Sequence, residues 1–440
     1  MVKSIIFRND LTIEFIESII KDQLELPKQD LEKIKLIEFK IQEKLLEGGL
    51  MGEISRVYLK WDNKNVDNND DDDDSLSSIS LPNSIVIKSI KNDSASCIVS
   101  SLESKTYREA EFYQKQMKSN KESGMKFDFL PIIYYANKNN ETGEYSIIMQ
   151  DLSEYVSACK VMGNQCWGKV QGLNLDLYDP FEIVKKCFLE TSKIHIENWG
   201  DCKKLLSNQS NSWLKDFDIY QGNDCGKEEW VKKNYQVLKS TWEEKTLPII
   251  KKIQEQYKET SPLINVDQVL KVIEIYFNHY LKWEQFKTRI DTSNEKNAFS
   301  LIHGDFHAGN VMVPLVLDGV EQQQHNKNDK LYLLDFSEIG FGCPFSDMAQ
   351  FIISNCEIKF RRENEEKLFK IYWNSLLESG IDLGNFPFDY SFKIYKRGGI
   401  DRWIKINILM SPHIPEFAFI YFFNQLSTFV MDHYSNDLFN

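Results

Sequence analysis

Short strand-like segments of apolar residues, one of them with clear apolar–polar alternation, are spread over the first 150 residues. Residues 31–46 differ, because they are rich in Glu, Lys, Ile and Leu without a helix breaker, and they predict a helix. A second helix is predicted after Ser100 and Glu103, whose spacing is that of a capping box, and it carries Glu109. We therefore expect a mostly antiparallel sheet with one prominent helix. The predicted strands are residues 55–61, 85–88, 132–135 and 145–149.

After residue 180 the apolar positions recur at helical spacing, so the rest of the chain is predicted to be larger and mostly helical. The Gly398-Gly399 pair predicts a turn. Arg397, Asp401 and Arg402 beside it are candidate pocket residues, although a helix-capping cluster is the favoured interpretation. The predicted helices are residues 181–199, 228–257, 266–289, 363–379 and 415–433, and short strands are predicted at 301–302, 311–317 and 331–336.

Composition and charge disfavour several kinds of partner and site. The 440 residues carry a net charge of −13, to which Asp67 and the run 70–74 contribute six charges. A negative field disfavours nucleic acid and anionic membranes as partners. The eight cysteines show no C-x-x-C pair, so a zinc site is not expected. No signal peptide or membrane span is recognised, and we expect a cytoplasmic protein.

The strongest chemical pattern is His-Gly-Asp-Phe-His-Ala-Gly-Asn at residues 303–310, followed by Asp335-Phe336. Asp305 could take a proton from an acceptor hydroxyl, while Asn310 and Asp335 offer the hard oxygen ligands that Mg²⁺ prefers. The alternative is that these are ordinary loop residues, with Asp305 capping a turn. His-Gly-Asp alone would be a weak signal, whereas the combined spacing is much more specific.

This segment resembles the aminoglycoside phosphotransferase and choline kinase superfamily, and within it the choline-kinase-like, ecdysteroid-kinase-like branch. The resemblance implies an α+β, protein-kinase-like bilobal fold, ATP and Mg²⁺ as cofactors, Asp305 as catalytic base, and Asn310 and Asp335 as metal ligands. Gly304 and Ser337 stand where protein kinases carry Arg and Gly, which favours the small-molecule branch.

The same resemblance assigns supporting residues near the catalytic loop. His303 and His307 are expected to brace the loop. Asp347, in Ser-Asp-Met-Ala, resembles the Asp-Leu-Ala element of the family and is expected to hydrogen-bond the loop. It could equally be the N-cap of the helix that follows, and the two roles are compatible.

Weaker matches lie in the first 150 residues. Gly48, Gly49 and Gly52 stand where the family has its phosphate-covering hairpin, although a plain tight turn is an equal alternative.

Lys88 resembles the lysine that holds the α and β phosphates, and Glu109 resembles its partner, with Glu111 as a competitor and an exposed strand-edge lysine as the alternative. Gln150 and Leu152 resemble the hinge whose main chain pairs with adenine, and a simple strand exit is the alternative.

These observations predict a nucleotide-binding lobe at 1–150, with a disordered acidic insertion at about 62–83, and a helical lobe at 151–440. The helical lobe would hold the catalytic loop 301–313 and a metal-binding segment 331–347. The predicted activity moves the γ-phosphate of ATP to a hydroxyl of a small molecule. A nucleotide-binding pseudokinase or scaffold is the alternative, and protein kinase activity is a third possibility. The acceptor, the oligomeric state and any protein partner are not readable from the sequence.

Overall fold

The chain divides into two compact units, Met1–Ser153 and Glu154–Asn440. The computed structural model describes residues 5–24, 26–43, 52–62, 81–91, 101–102, 105–121, 127–162, 170–200, 213–215, 228–259, 265–291, 293–317, 330–435 and 438–439.

The N-terminal unit is built on a five-stranded antiparallel sheet with the order β1-β2-β3-β5-β4. Ile85 and Ile87 of β3 join an apolar cluster with helix α1. Because side chains alternate along a strand, Lys88 points to the opposite face of the sheet. The elements are α1 (Ile13–Lys21), α2 (Lys28–Leu31), β1 (Leu36–Ile41), β2 (Gly52–Trp61), β3 (Ser84–Ile90), α3 (Arg108–Lys121), β4 (Ile133–Lys138) and β5 (Tyr145–Gln150).

The helix predicted for residues 31–46 is wrong, because the described part of this stretch contains strand β1. Phe39 and Ile41 pack on the apolar cluster while Glu38 and Lys40 are exposed. This two-residue alternation, together with antiparallel pairing to β2, outweighs the helix propensity of Glu and Lys.

The helix that carries Glu109 is present as α3. It begins at Arg108. Ser100 and Glu103, which were predicted to cap it, lie outside the described residues.

The C-terminal unit is mostly helical and contains two small antiparallel sheets, β6-β8-β9 and β10-β7. Asp179 caps the first long helix by accepting a hydrogen bond from the Phe181 amide. The helices are α4 (Pro180–Glu197), α5 (Glu228–Thr241), α6 (Leu247–Gln256), α7 (Val266–Ile275), α8 (Trp283–Ile290), α9 (Pro344–Asn355), α10 (Ile358–Glu378), α11 (Phe388–Met410) and α12 (Glu416–His433). The strands are β6 (Tyr155–Ser157), β7 (Ser300–Ile302), β8 (Val311–Pro314), β9 (Tyr332–Leu333) and β10 (Gly340–Gly342).

The turn predicted at Gly398-Gly399 is wrong, because both glycines lie inside α11. A Cβ atom at Gly398 would collide with Ser346 of α9. The glycines therefore allow two helix backbones to approach closely rather than to turn. The interpretation of the neighbouring charged side chains, among them Arg402, as a capping cluster is wrong for the same reason.

The predicted α+β class is confirmed, with an antiparallel sheet in the N-terminal unit and a mostly helical C-terminal unit. Among the described residues, no helix has both the length and the apolar character needed to cross a bilayer.

Candidate active site

Strand pairing brings the two predicted site loops together. One loop joins β7 to β8 and contains Asp305, and the other joins β9 to β10 and contains Asp335. Because β7 pairs with β10 and β8 pairs with β9, the two loops begin and end side by side. The Leu334 amide donates a hydrogen bond to the Asn310 carbonyl at 2.9 Å. The three polar residues predicted to act together therefore stand on adjacent loops.

His303 ties the two loops through both ring nitrogens. Its Nε2 lies 3.0 Å from the Leu334 carbonyl oxygen, and its Nδ1 lies 3.4 Å from the Asp305 amide nitrogen. A carbonyl can only accept and an amide can only donate, so the ring is neutral with its proton on Nε2. Burial lowers the pKa of His303, which agrees with a neutral ring. His303 is therefore a brace of the loop.

Asp347, in the first turn of α9, anchors the start of the catalytic loop. Its carboxylate accepts hydrogen bonds from the amides of His303, at 2.8 Å, and Gly304, at 3.2 Å. Gly304 has a φ of +80°, and a Cβ atom there would collide with the Glu338 carbonyl. This backbone conformation therefore requires glycine. The alternative role of Asp347 as N-cap is wrong, because α9 begins at Pro344.

Three side chains surround the carboxylate of Asp305. Gln350 donates a hydrogen bond to Oδ1 at 2.9 Å, Arg402 Nη2 lies 3.5 Å from Oδ1, and His307 Nε2 lies 3.6 Å from Oδ2. The His307 Nδ1 accepts a hydrogen bond from the Gly309 amide at 3.0 Å, which turns Nε2 toward the carboxylate.

The charge of Asp305 follows from these neighbours. Burial raises its pKa, but His307 and then Arg402 lower it well below the usual value for a carboxyl group. The side chain remains 35% exposed, so a substrate can reach it. Asp305 is therefore an ionised, accessible carboxylate, as a group that accepts a hydroxyl proton must be.

Asn310 and Asp335 are the possible metal ligands. The Asn310 amide nitrogen donates to the Asp305 carbonyl at 2.9 Å, which leaves the amide oxygen as its ligand atom. Asp335 has a φ of +61°, an unusual backbone conformation for a residue other than glycine. No group of three or more His, Cys, Asp or Glu side chains forms a metal site within the described residues. A single carboxylate with an amide oxygen suits Mg²⁺, which keeps waters and phosphate oxygens as its other ligands.

Lys88 forms an ion pair with Glu109 in the N-terminal unit. The Nζ atom lies 2.6 Å from Oε2, and the Glu109 side chain is only 1% exposed. The competing residue, Glu111, pairs instead with Lys138 at 2.8 Å. Of the two candidate partners, the structure therefore joins Glu109 to the strand lysine.

Comparison with known proteins matches part of the chain to one family. Residues 206–385 match the ecdysteroid kinase-like family. This match confirms the resemblance to the ecdysteroid-kinase-like branch that the sequence motifs indicated. The matched range contains the whole catalytic loop and Asp347. No curated protein matches the chain.

Several solved structures are weakly similar to the chain, among them the following three. One is choline kinase from Cryptosporidium parvum, at 10% identity over 96% of this chain and 95% of that chain, with a TM-score of 0.40. Another is the GDP complex of aminoglycoside 2'-phosphotransferase-IIIa, at 10% identity over 96% and 100%, with a TM-score of 0.44. The third is ethanolamine kinase from Plasmodium vivax, at 12% identity over 92% and 83%, with a TM-score of 0.41.

The structure describes only some of the remaining predicted site residues. Gly48 and Gly49 lie outside the described residues. Gly52 begins β2, where a Cβ atom would lie 3.1 Å from the Ser89 carbonyl oxygen. Gln150 ends β5, and its amide already donates to the Ile132 carbonyl at 2.8 Å. Leu152 follows and is buried.

Three side-chain contacts were not predicted, one near Gln150 and two at Asp305. Asp151, between Gln150 and Leu152, accepts two hydrogen bonds from Arg56, at 2.6 and 3.2 Å. Gln350 and Arg402 contact Asp305 from α9 and α11. Gln350 stands three residues after Asp347, so helical spacing could have placed it on the same side of α9. No sequence signal joins Arg402 to the loop, because the fold alone brings α11 there.

Proposed function

We propose that the protein is a small-molecule kinase that transfers the γ-phosphate of ATP to a hydroxyl group. The observation that supports this most directly is the position of the Asp305 carboxylate. Gln350 holds it on the loop that also carries Asn310, next to the loop of Asp335. Phosphoryl transfer needs little covalent chemistry from a protein, and it depends on positioning and on charge neutralisation.

Each residue has a role in this proposal. Asp305 is ionised, orients the acceptor hydroxyl by accepting its hydrogen bond, and can take up its proton as the phosphoryl group is transferred. Asn310 and Asp335 would hold Mg²⁺, which neutralises charge on the triphosphate. His303 and Asp347 keep the loop in shape through their hydrogen bonds.

From the N-terminal unit, we assign Lys88, positioned by Glu109, to the α and β phosphates. The turn with Gly48, Gly49 and Gly52 is assigned to the phosphates as well, and Gln150 and Leu152 to adenine. We assign the reaction to the cytoplasm, where thiols stay reduced. The four described cysteines form no disulfide among themselves; they are Cys159, Cys187, Cys343 and Cys356.

The test compares the wild type with Asp305→Asn. Each is incubated with labelled ATP, Mg²⁺ and a metabolite extract, and labelled small molecules are separated from labelled protein. We expect a labelled small molecule with the wild type and a rate lower by a factor of about 10²–10⁴ with the variant, since a general base is lost.

Binding of ATP, measured by thermal shift, should survive in Asp305→Asn, because Asp305 acts on the acceptor. Asp389→Asn, at an exposed position at the start of α11, is the matched control. An Asp305→Asn variant that turns over like the wild type would refute the role of Asp305. Nucleotide binding without transfer by the wild type would favour the scaffold, and label in protein would favour a protein kinase.

A further inference from the structure

A pocket of about 170 Å³ opens beside the catalytic loop within the C-terminal unit. Residues of β7, β10, α8, α9 and α11 line it. Gly304 of the loop, and Gln350 and Arg402, which both contact Asp305, are part of its wall. A molecule in this pocket would therefore lie next to the proposed base, where an acceptor has to be.

Cationic side chains predominate in the wall, which has three carboxylates, on Glu338, Asp347 and Asp401. Acidic walls favour cationic acceptors, and this pocket has the opposite charge balance. The six cationic residues of the wall are Lys215, Arg289, Lys296, Arg397, Arg402 and Lys405.

The three carboxylates are already engaged. Glu338 pairs with Lys215, and Asp401 pairs with Lys405 at 3.3 Å. Asp347 accepts hydrogen bonds from the catalytic-loop amides and is only 2% exposed. A cationic ligand would thus have to compete for carboxylates that have partners.

Arg402 faces the proposed base, and the other three cations have no carboxylate partner among the described residues. Arg289 stacks on the Tyr280 ring, 3.6 Å from its centroid, and its Nη1 donates a hydrogen bond to the Tyr280 carbonyl at 2.7 Å. Within the described part of the chain, no carboxylate lies within 4 Å of Arg289, Lys296 or Arg397. The Nε atom of Arg402 is buried without a hydrogen-bond partner among the same residues. Guanidinium groups that keep free donors in a pocket bind carboxylate, sulfate and phosphate oxygens well, because their donors form a planar fork.

We propose that the acceptor is an alcohol that already carries an anionic group, bound by Arg397 and Arg289, with its hydroxyl directed to Asp305. This assignment rests on the proposed kinase function. Arg397 precedes Arg402 by five positions on α11, which places it about 7.5 Å away along the helix axis. The anion and the hydroxyl would then stand at opposite ends of a short spacer. Tyr280, Phe286 and Phe341 supply apolar wall for that spacer.

The test measures binding by calorimetry to the full chain without nucleotide, so its result does not depend on turnover. Three probes share one benzene ring and one hydroxyl and differ in charge: 4-(hydroxymethyl)benzoate, 4-(hydroxymethyl)benzamide and 4-(aminomethyl)benzyl alcohol. We expect the anion to bind at least roughly tenfold more tightly than the cation, with the neutral amide between them. Equal affinities, a preference for the cation, or no binding of any probe at millimolar concentration would overturn the proposal.

Charge removal identifies the residues responsible. Arg397→Gln should remove most of the preference for the anion, and Arg289→Gln should reduce it. Lys367→Gln, on the exposed surface of α10, removes the same charge elsewhere and should leave the preference intact. Circular dichroism checks that the Arg397→Gln variant is folded. An unchanged preference for the anion in this variant would contradict the assignment.

A second experiment distinguishes two anions that the pocket cations could bind, the acceptor and the triphosphate of ATP. Affinity for Mg-ATP should be the same in Arg397→Gln and the wild type. If the substitution weakens Mg-ATP and not the benzoate, these cations serve the nucleotide and the proposal fails. If the wild type binds the benzoate but transfers phosphate to nothing, the kinase function fails and the anion site remains.

Discussion

At the scale of single residues, the proposed chemistry depends on how Asp305 is held. Its backbone is fixed through His303, and its carboxylate is fixed by Gln350, Arg402 and His307. A carboxylate that keeps one orientation and one charge state is ready for the acceptor without rearrangement.

Replacing Gln350 by Met tests this positioning. The substitution keeps the volume and removes the donor to Asp305 Oδ1. Hydrogen bonds to charged groups contribute about 1.5–3 kcal/mol, so we expect kcat to fall by roughly tenfold or more while nucleotide affinity stays unchanged. Steady-state kinetics and thermal shift measure the two effects. Gln350→Glu should be worse, since it places a like charge beside Asp305, and wild-type kcat in Gln350→Met would remove Gln350 from the account.

Sequence reasoning proposed those candidate site residues that form a local motif. Asp305, Asn310 and Asp335 could be placed on adjacent loops in advance because their spacing along the chain is specific. Arg402 could not, since 98 positions separate it from Gly304, whose carbonyl it also contacts. Its place depends on how α11 packs, and packing leaves no signature in a short segment.

At the scale of elements, helices α9 and α11 supply the contacts of Asp305 that come from outside the catalytic-loop motif. Asp347 and Gln350 belong to α9, and Arg402 belongs to α11. The two helices approach closely at Gly398, opposite Ser346. Small residues at this crossing therefore set the distance between the groups that hold Asp305.

Gly398→Ala tests the crossing. Alanine favours a helix by about 1 kcal/mol over glycine, but overpacking costs about 1–3 kcal/mol, and the contact here involves the backbone of Ser346 as well as its side chain. We expect a lower midpoint of urea unfolding. Adding Ser346→Gly should recover part of the loss, because it removes the atoms that collide. A stabilised Gly398→Ala variant would show that α9 can move away freely.

A second helix contact predicts a pH effect. Asp432 of α12 accepts hydrogen bonds from Arg361 and Arg362 of α10. Burial would raise the pKa of Asp432, but these two arginines lower it below the usual value. A lowered folded-state pKa means that the stabilisation is present above the unfolded-state pKa and is lost as pH falls.

We therefore expect Asp432→Asn to reduce the free energy of unfolding by about 1–2 kcal/mol at neutral pH. The difference from the wild type should shrink as pH falls below about 4, because the wild-type carboxylate is then protonated too. Urea unfolding at a series of pH values measures both, with Asp389→Asn as the control. A difference that stays constant with pH would rule out the ion pair as its cause.

Some helices and strands were predicted correctly from the sequence and others were not, and both outcomes have physical reasons. Strands such as β3 and β5 could be predicted because their apolar runs are short and bounded by polar segments. The region of β1 was misread, because its Glu and Lys residues favour helices and only pairing with β2 makes it a strand. The Gly398-Gly399 pair was misread because glycine marks both turns and close helix contacts.

At the scale of the whole molecule, the net charge and the pocket charge have opposite signs. The chain carries −13, yet the pocket beside Gly304 has an excess of cations. An anionic acceptor would be repelled at long range and attracted at short range. Moderate salt screens the long-range repulsion more than the short-range attraction, since the Debye length is about 10 Å at 0.1 M.

Deleting residues 64–80 tests whether the acidic segment contributes to function. The ends that would be joined are already close, because Trp61 Nε1 donates to the Pro82 carbonyl at 2.8 Å and the Leu59 amide to the Asn83 carbonyl at 2.8 Å. We expect the midpoint of unfolding and the rate of transfer to stay within roughly twofold of wild-type values. A large loss of activity with intact folding would indicate a contact with the nucleotide.

Metal binding tests the central claim most directly. Mn²⁺ is titrated by electron paramagnetic resonance in the presence of a non-hydrolysable ATP analogue, with wild type, Asn310→Ala, Asp335→Ala and Asp305→Ala. We predict that the Asn310 and Asp335 variants bind Mn²⁺ at least roughly tenfold more weakly and that the Asp305 variant binds it like the wild type. Unchanged Mn²⁺ affinity in Asp335→Ala would contradict the account.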